Sequence, residues 1–489
     1  MPQDFYLSTQ LAYLQWLASE DAAEIEFVRT VRSYANGEHP TYLTDRQKEF
    51  VGLKSKKAAY LYAHNLCQLV IDSVVERLSV EGFKVARETE EEAAAPFIER
   101  IEEWQEVNRF DALQDEVYEA AVRDADAYVI VDWDTETNAP RWTLNYKNDG
   151  TQGIRCWRDP NTNKIVYATK KWQVWDPFDK VLNGRTRQTL YFPDRVEKYI
   201  STAKAAANGI NNTIWEEYRD DPAEAWPLPW RDDQGQPLGI AVIEFANPGG
   251  SEIAQIIHLQ DMLNKSDIDL IACSDSSGFR ILFASGVPAT IDISTAAEKT
   301  LEISPGQMVR LTDPAARLGA VDPVDTNTLI GACKYWIESI AGVSRTPQYL
   351  FQALGGDQPS GESLKNQEIG LIHKVDRRSR IFGNAWEDVI YLSAKLHNLY
   401  RTGEAIEIIR LQTEWQSPQE FTDELAEEQS KATTRKANAE AALIEQQLGV
   451  SQETLMERMN LDAAEEALKR EATTAQLGDQ MLAAFDKGQ

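Results

Sequence analysis

Apolar positions recur at steps of three and four over much of the chain, and the longest such run lies between Gly361 and Leu396. Leu364, Glu368, Leu371, Ile372, Val375, Ile381, Phe382, Trp386, Val389 and Ile390 form a mostly apolar stripe. No proline interrupts the run before Leu396. The pattern predicts one helix of about 36 residues, about 54 Å long at the standard rise. Ser360 can cap it, and Glu362 sits where the helix dipole favours negative charge. Ahead of it, Leu354 to Gly361 reads as a flexible loop. Lys374, Arg377, Arg378 and Arg380 put a knot of positive charge near the middle of the helix. On its own, such a knot is most simply a solvated face.

The same patterning lays out the rest. Residues 7 to 35, 55 to 78 and 97 to 124 read as helices, with the acidic run Glu88 to Glu92 as a solvated loop or helix start. Tyr128 to Val131 and Trp142 to Tyr146 read as strands around a turn at Asp134 to Asn138. Lys164 to Trp175 and Arg187 to Phe192 continue a meander, and 201 to 237 reads as ordered loop with little regular structure. Ile240 to Phe245 is a strand, broken by Pro248-Gly249-Gly250. A helix then runs from Ser251 to about Ser274, and another from Thr326 to Ile340. The short strands and turns of 278 to 322 lie between them. A strand is expected at Ala405 to Leu411, and Ser417-Pro418-Gln419-Glu420 is a capping box that opens an all-helical end. The class is α+β, mainly helical.

Length and composition narrow this picture. At 489 residues the chain exceeds one compact core. No stretch reaches the 18 apolar residues of a membrane helix, and Met1-Pro2-Gln3-Asp4 lacks the regions of a secretory signal. Cys67, Cys156, Cys273 and Cys333 lie far apart and read as reduced core residues made in a cytoplasm. The five histidines show no metal-ligand spacing, and no phosphate-binding loop or nucleophile elbow is present. Asp132 and Asp134 could hold a metal but read better as a hairpin turn. Trp172, Trp175, Trp226 and Trp230 read as sheet cover before they read as stacking platforms. No catalytic residue, metal or cofactor is expected. The net charge of −28 argues against a protein that grips nucleic acid, because each basic contact adds salt-dependent hold on the phosphates. It suits a conduit past which DNA slides, and it equally suits plain solubility.

Three separated runs carry a resemblance. They are Thr346-Pro347 with Pro359 to Lys365, Phe382-Gly383 and Trp386-Glu387; Gly249 to Glu252 with His258 to Lys265; and Thr44 to Gln47 with Asn65 to Leu78. Together they resemble portal proteins of tailed bacteriophages, closest to the branch of long, non-contractile-tailed phages. The resemblance implies a dodecameric ring at one capsid vertex, through which double-stranded DNA is packaged and ejected without sequence specificity. The implied partners are the large terminase, a head-completion connector, and the major capsid and scaffold proteins, with the virion as location and no membrane. It implies a wing (1–250), stem helices (251–276 and 324–342) around a clip (277–323), a tunnel-loop region (343–362), a long tunnel helix with a return wing strand (363–417) and a crown (418–489). Gly355, Gly356, Asp357 and Gln358 would form the DNA-facing loop. Lys365, Lys374, Arg377 and Arg378 would form an intersubunit or phosphate-facing belt, and Asp292, Glu298 and Glu302 would face the terminase. The alternatives are another virion component, capsid or scaffold, and an acidic carbohydrate-active hydrolase.

Overall fold

The structure, a computed structural model, describes residues 22–40, 64–85, 91–176, 178, 181–204, 215–278, 282–285, 317–320, 326–351, 361–401 and 403–418. The chain divides into two compact units, one of residues 1–357 and 367–418 and the other of 358–366 and 419–489. Nearly all described residues belong to the first, whose architecture follows; the second contributes only the first residues of the long helix.

Seven α-helices are described: α1 (Ala22–Ala35), α2 (Leu66–Val75), α3 (Glu91–Val107), α4 (Phe110–Asp124), α5 (Ile257–Gly278), α6 (Thr326–Ser344) and α7 (Gly361–Tyr400). The strands are β1 (Val80–Val85), β2 (Asp126–Asp134), β3 (Ala139–Tyr146), β4 (Gly153–Arg158), β5 (Ile165–Gln173), β6 (Arg185–Tyr191), β7 (Arg195–Lys204), β8 (Trp215–Glu217), β9 (Leu228–Pro229), β10 (Val242–Ala246), β11 (Leu282–Ser285), β12 (Arg317–Ala320) and β13 (Leu411–Trp415). Their ladders are all antiparallel. The chain is therefore α+β.

The central sheet runs β10-β2-β3, and β4 to β8 form a meander with β9 on β7. The middle strand β2 is buried on both faces because successive side chains alternate. Ala127, Val129, Val131 and Trp133 join the main core with the helices. Tyr128 and Ile130 face the other way and pack with Ile154, Ala168 and Val242. The central sheet is thus a partition, with helices on one side and the meander on the other.

The centre of the main core is aromatic. Trp386 of α7 is fully buried, donates its indole N–H to the Tyr118 hydroxyl at 2.8 Å, and lies 4.9 Å from Phe110 and 4.7 Å from Phe245. Phe382, one turn earlier, stacks on Tyr118. Between them, Gly383 lets β13 come close. A Cβ there would sit 3.1 Å from the Trp415 indole nitrogen, and the Gly383 carbonyl accepts from Thr413 Oγ1 at 3.0 Å.

Three boundaries differ from the sequence expectation. The run 97–124 is two helices, split at Asn108–Arg109, where Arg109 is left-handed at φ 49°. Asn108 fills that break by bonding Pro140 O and the Trp142 N–H. The helix expected from Ser251 begins at Ile257, after a stretch of turns. The strand expected at Ala405 to Leu411 instead starts at Leu411. The Asn398 side chain takes both the N–H and the carbonyl of Ile406, so that stretch is fastened to α7 and the ladder with β1 begins later. The expected all-helical end from Gln419 onward lies outside the described residues.

A buried polar relay joins α1, α2 and α5. His39 bonds Tyr34 O at 2.9 Å through Nε2 and Asn264 Nδ2 at 2.8 Å through Nδ1. Asn264 accepts from Gln260, which in turn holds His64 O and the Leu66 N–H. Asn264 can donate to Nδ1 only while the imidazole is neutral. Burial holds His39 below the ordinary value of 6.5, against the opposing pull of Asp261. Burial likewise lowers His397, aided by Arg100 and Arg401. Below that value the folded state binds fewer protons than the unfolded chain, so both histidines contribute stability that is complete above 6.5 and lost as pH falls. The thermal midpoint should therefore drop between pH 7 and 5.5, each group contributing at most about 1.4 kcal/mol per pH unit. In calorimetry, His39→Gln should flatten that dependence; an unchanged slope would remove His39 from the relay.

Candidate functional site

The long helix α7 is fastened to the rest of the first unit at successive turns by buried ions. The turn before α5 supplies the key carboxylate. Gly249 and Gly250 are both left-handed, at φ 102° and 86°, which favours glycine. Glu252 follows; its N–H donates to Val122 O at the end of α4, at 3.0 Å. Its side chain is buried and accepts from Asn247 Nδ2 at 3.2 Å.

Lys374 and Arg378, one turn apart on α7, both reach Glu252. Lys374 Nζ lies 2.6 Å from Oε2, and Arg378 Nη2 contacts Oε1. Lys374 also donates to Ser344 O at the end of α6, at 2.7 Å. One ammonium thus ties the turn before α5, the end of α6 and α7. Two cations share one carboxylate away from water, and the cost shows in their titration. Burial pulls Lys374 down to about 8, with Arg345 adding repulsion, and burial pulls Arg378 down to about 10.

A second fastening sits nearer the start of α7. Glu368 is buried, lies 3.4 Å from Arg77 Nη2, and accepts from the Tyr349 hydroxyl. Burial and then Glu368 push that phenol up to about 12. Glu368 was not singled out from the sequence, although its place as the one charged position in an otherwise apolar stripe is a signal that points to a buried partner. Glu252 carried no such sign, because its partners lie far along the chain.

The expected site residues are distributed unevenly. Lys374 and Arg378 face inward, and their carboxylate is on the same chain. Arg377 and Arg380 are exposed, with no ion pair among the described residues, and His373 shares their exposed stripe. Lys365 is on α7, its side chain undescribed. Gly355 to Gln358 and Asp292, Glu298 and Glu302 lie outside the described residues. Of the tryptophans, Trp230 is buried, Trp226 packs edge-on against Tyr199, and Trp175 is exposed. Asp134 caps its own turn by accepting the Glu136 N–H, at 2.9 Å.

One trio has the inventory of a nucleophilic site: His64, Asp267 and Cys333. His64 Nδ1 is 3.2 Å from Asp267, and the Cys333 thiol donates to Asp267 at 3.4 Å. Burial and then the carboxylate push that thiol up to about 11, away from the thiolate that attack requires. Among the described residues, no three His, Cys, Asp or Glu are placed to hold a metal, and no helix is long and apolar enough to cross a membrane.

Comparison with known proteins adds the context for this geometry. Residues 14–476 match the family described as phage portal protein, SPP1 Gp6-like. The portal protein of Mycobacterium phage D29 is 23% identical over 401 residues, covering 77% of this chain and 74% of that protein. The portal protein of Mycobacterium phage L5 is 21% identical over 390 residues, with the same coverage.

Glu252→Gln keeps the shape of the ion cluster and leaves two buried cations without a carboxylate. The expected loss is about 3–5 kcal/mol of unfolding free energy, the cost of stranding a buried charge, read as a lower midpoint in urea. A loss below about 1 kcal/mol, the scale of a surface pair, would show that the cluster does not fasten α7.

Proposed function

Because the chain belongs to the SPP1 Gp6-like phage portal proteins, a family of structural virion components, we propose that it forms the ring-shaped channel at one capsid vertex through which double-stranded DNA is packaged and ejected. The family match over nearly the whole chain carries this reading. The wing would be 1–250, and α5 and α6 would be the stem helices. The clip (277–323), which includes β11 and β12, would meet the terminase and then the connector. The tunnel-loop region (343–362) would end in Gly355 to Gln358 facing the DNA, α7 would be the tunnel helix, β13 the return wing strand, and 418–489 the crown.

The exposed stripe of α7 supports a role in assembly. His373, Arg377 and Arg380 have no ion pair among the described residues and lie beside Ile369, which is half exposed. The opposite flank of the helix is buried and ion-paired within its own chain. In a crowd of subunits each carrying −28, a neighbour's carboxylate is the more abundant partner for these arginines. DNA phosphate is the other partner open to them.

Negative-stain microscopy of the purified chain should show closed rings with a central hole; compact monomers alone would overturn the reading. Replacing Arg377 and Arg380 with glutamate should abolish rings. Normal rings with weaker DNA retention would assign the pair to phosphate.

A further inference from the structure

The partition formed by the central sheet has a local cluster of three cations on one side and an unpaired run of carboxylates on the other. On the meander side, Lys170 and Trp172 share a face of β5, and Arg187 of β6 lies directly across from Trp172. The Lys170 ammonium is 5.2 Å from the Trp172 ring centre, and the Arg187 guanidinium is 4.9 Å from the same ring and 4.0 Å from Tyr218. Arg141, opposite Asp132 on β3, is a third cation at this edge. Arg187 has Asp220 at 2.9 Å, and Arg141 has Asp132 at 3.7 Å. The Lys170 ammonium has no hydrogen bond or ion pair among the described residues, and Arg187 Nε is buried without an acceptor there. Burial, then Arg187 and Arg141, press Lys170 below the ordinary lysine value. A half-buried ammonium repelled by two guanidiniums is a site that lacks its anion.

On the helix side the situation is reversed. α3 and α4 expose Glu99, Glu102, Glu106, Asp111, Asp115 and Glu116, none with a cation partner among the described residues. Burial and then Asp111 raise Asp115 above its ordinary value. The pairs Glu102/Glu106 and Asp111/Asp115 place like charges four residues apart, which costs a helix a few tenths of a kcal/mol. A ring built head to tail needs two different complementary surfaces on each subunit, facing opposite ways.

We propose that the Lys170–Arg187–Arg141 seat of one copy docks onto the acidic face of α3 and α4 of the next. The contact rests on the ring reading above and names the surfaces that would close it. Lys170 gains the carboxylate it lacks, and the acidic face loses its self-repulsion. Arg187, already held by Asp220, keeps the seat rigid while Lys170 makes the new pair.

Charge exchange tests this on the full-length chain, by mass photometry and negative stain. Lys170→Glu alone and Asp115→Lys with Glu116→Lys alone should each fail to form rings. An equimolar mixture of the two should restore them, since alternating subunits then match at every contact; a misfolded variant could not be rescued this way. With Lys170→Gln, the salt concentration that dissociates the ring should fall at least about twofold, as screening acts on fewer pairs. Rings that form normally with each single-surface variant would overturn the contact and leave the ring reading standing. Two ring-deficient variants that stay unassembled on mixing would also overturn the contact. A wild-type chain that never forms rings would overturn both.

Discussion

One carboxylate organises the centre of this protein. Glu252 is the shared counter-ion of Lys374 and Arg378, and the same ammonium reaches the last carbonyl of α6. Three elements distant in sequence therefore meet at one buried charge. Apolar packing alone would let α7 slide or rotate by a turn, because its stripe is repetitive. An ion cluster does not tolerate such a slip, since a shift of one residue would leave buried charges unmatched. The cluster sets the register of α7, and the aromatic contacts of Trp386 and Phe382 lower down supply the bulk of the burial.

The two kinds of cation on α7 divide its labour. Lys374 and Arg378 are consumed inside the chain, while Arg377, one residue before Arg378, and Arg380, two after it, are presented outward. The inward pair anchors the helix in its own chain, and the outward pair stays accessible on the opposite flank. Inward and outward cations thus alternate within two turns of the helix.

Much of the fold was legible. The apolar stripe from Leu364 to Ile390, the continuous apolar run Tyr128 to Val131 and the meander turns are local signals, and local signals survive in a single sequence. The failures had physical causes. Asn108 and Arg109 interrupt a helix whose apolar period runs straight through, because a side chain supplies the bonds that the backbone gives up. The 404–410 stretch has strand composition but finds side-chain partners on α7 in place of a neighbouring strand. The basic knot of α7 was visible as composition, but its division into buried and exposed members was not. That division depends on Glu252, more than a hundred residues earlier, and no periodicity connects the two.

The pairing of β1 with β13 has a consequence for how the molecule is made. Val85 lies opposite Leu411 and Phe83 opposite Thr413, so the N-terminal part of the fold waits for a strand that leaves the ribosome more than three hundred residues later. Until then β1 is a bare edge, able to pair with any other nascent chain. Synthesis order thus imposes a vulnerable interval on every copy, and a product cut short before Leu411 would never leave it.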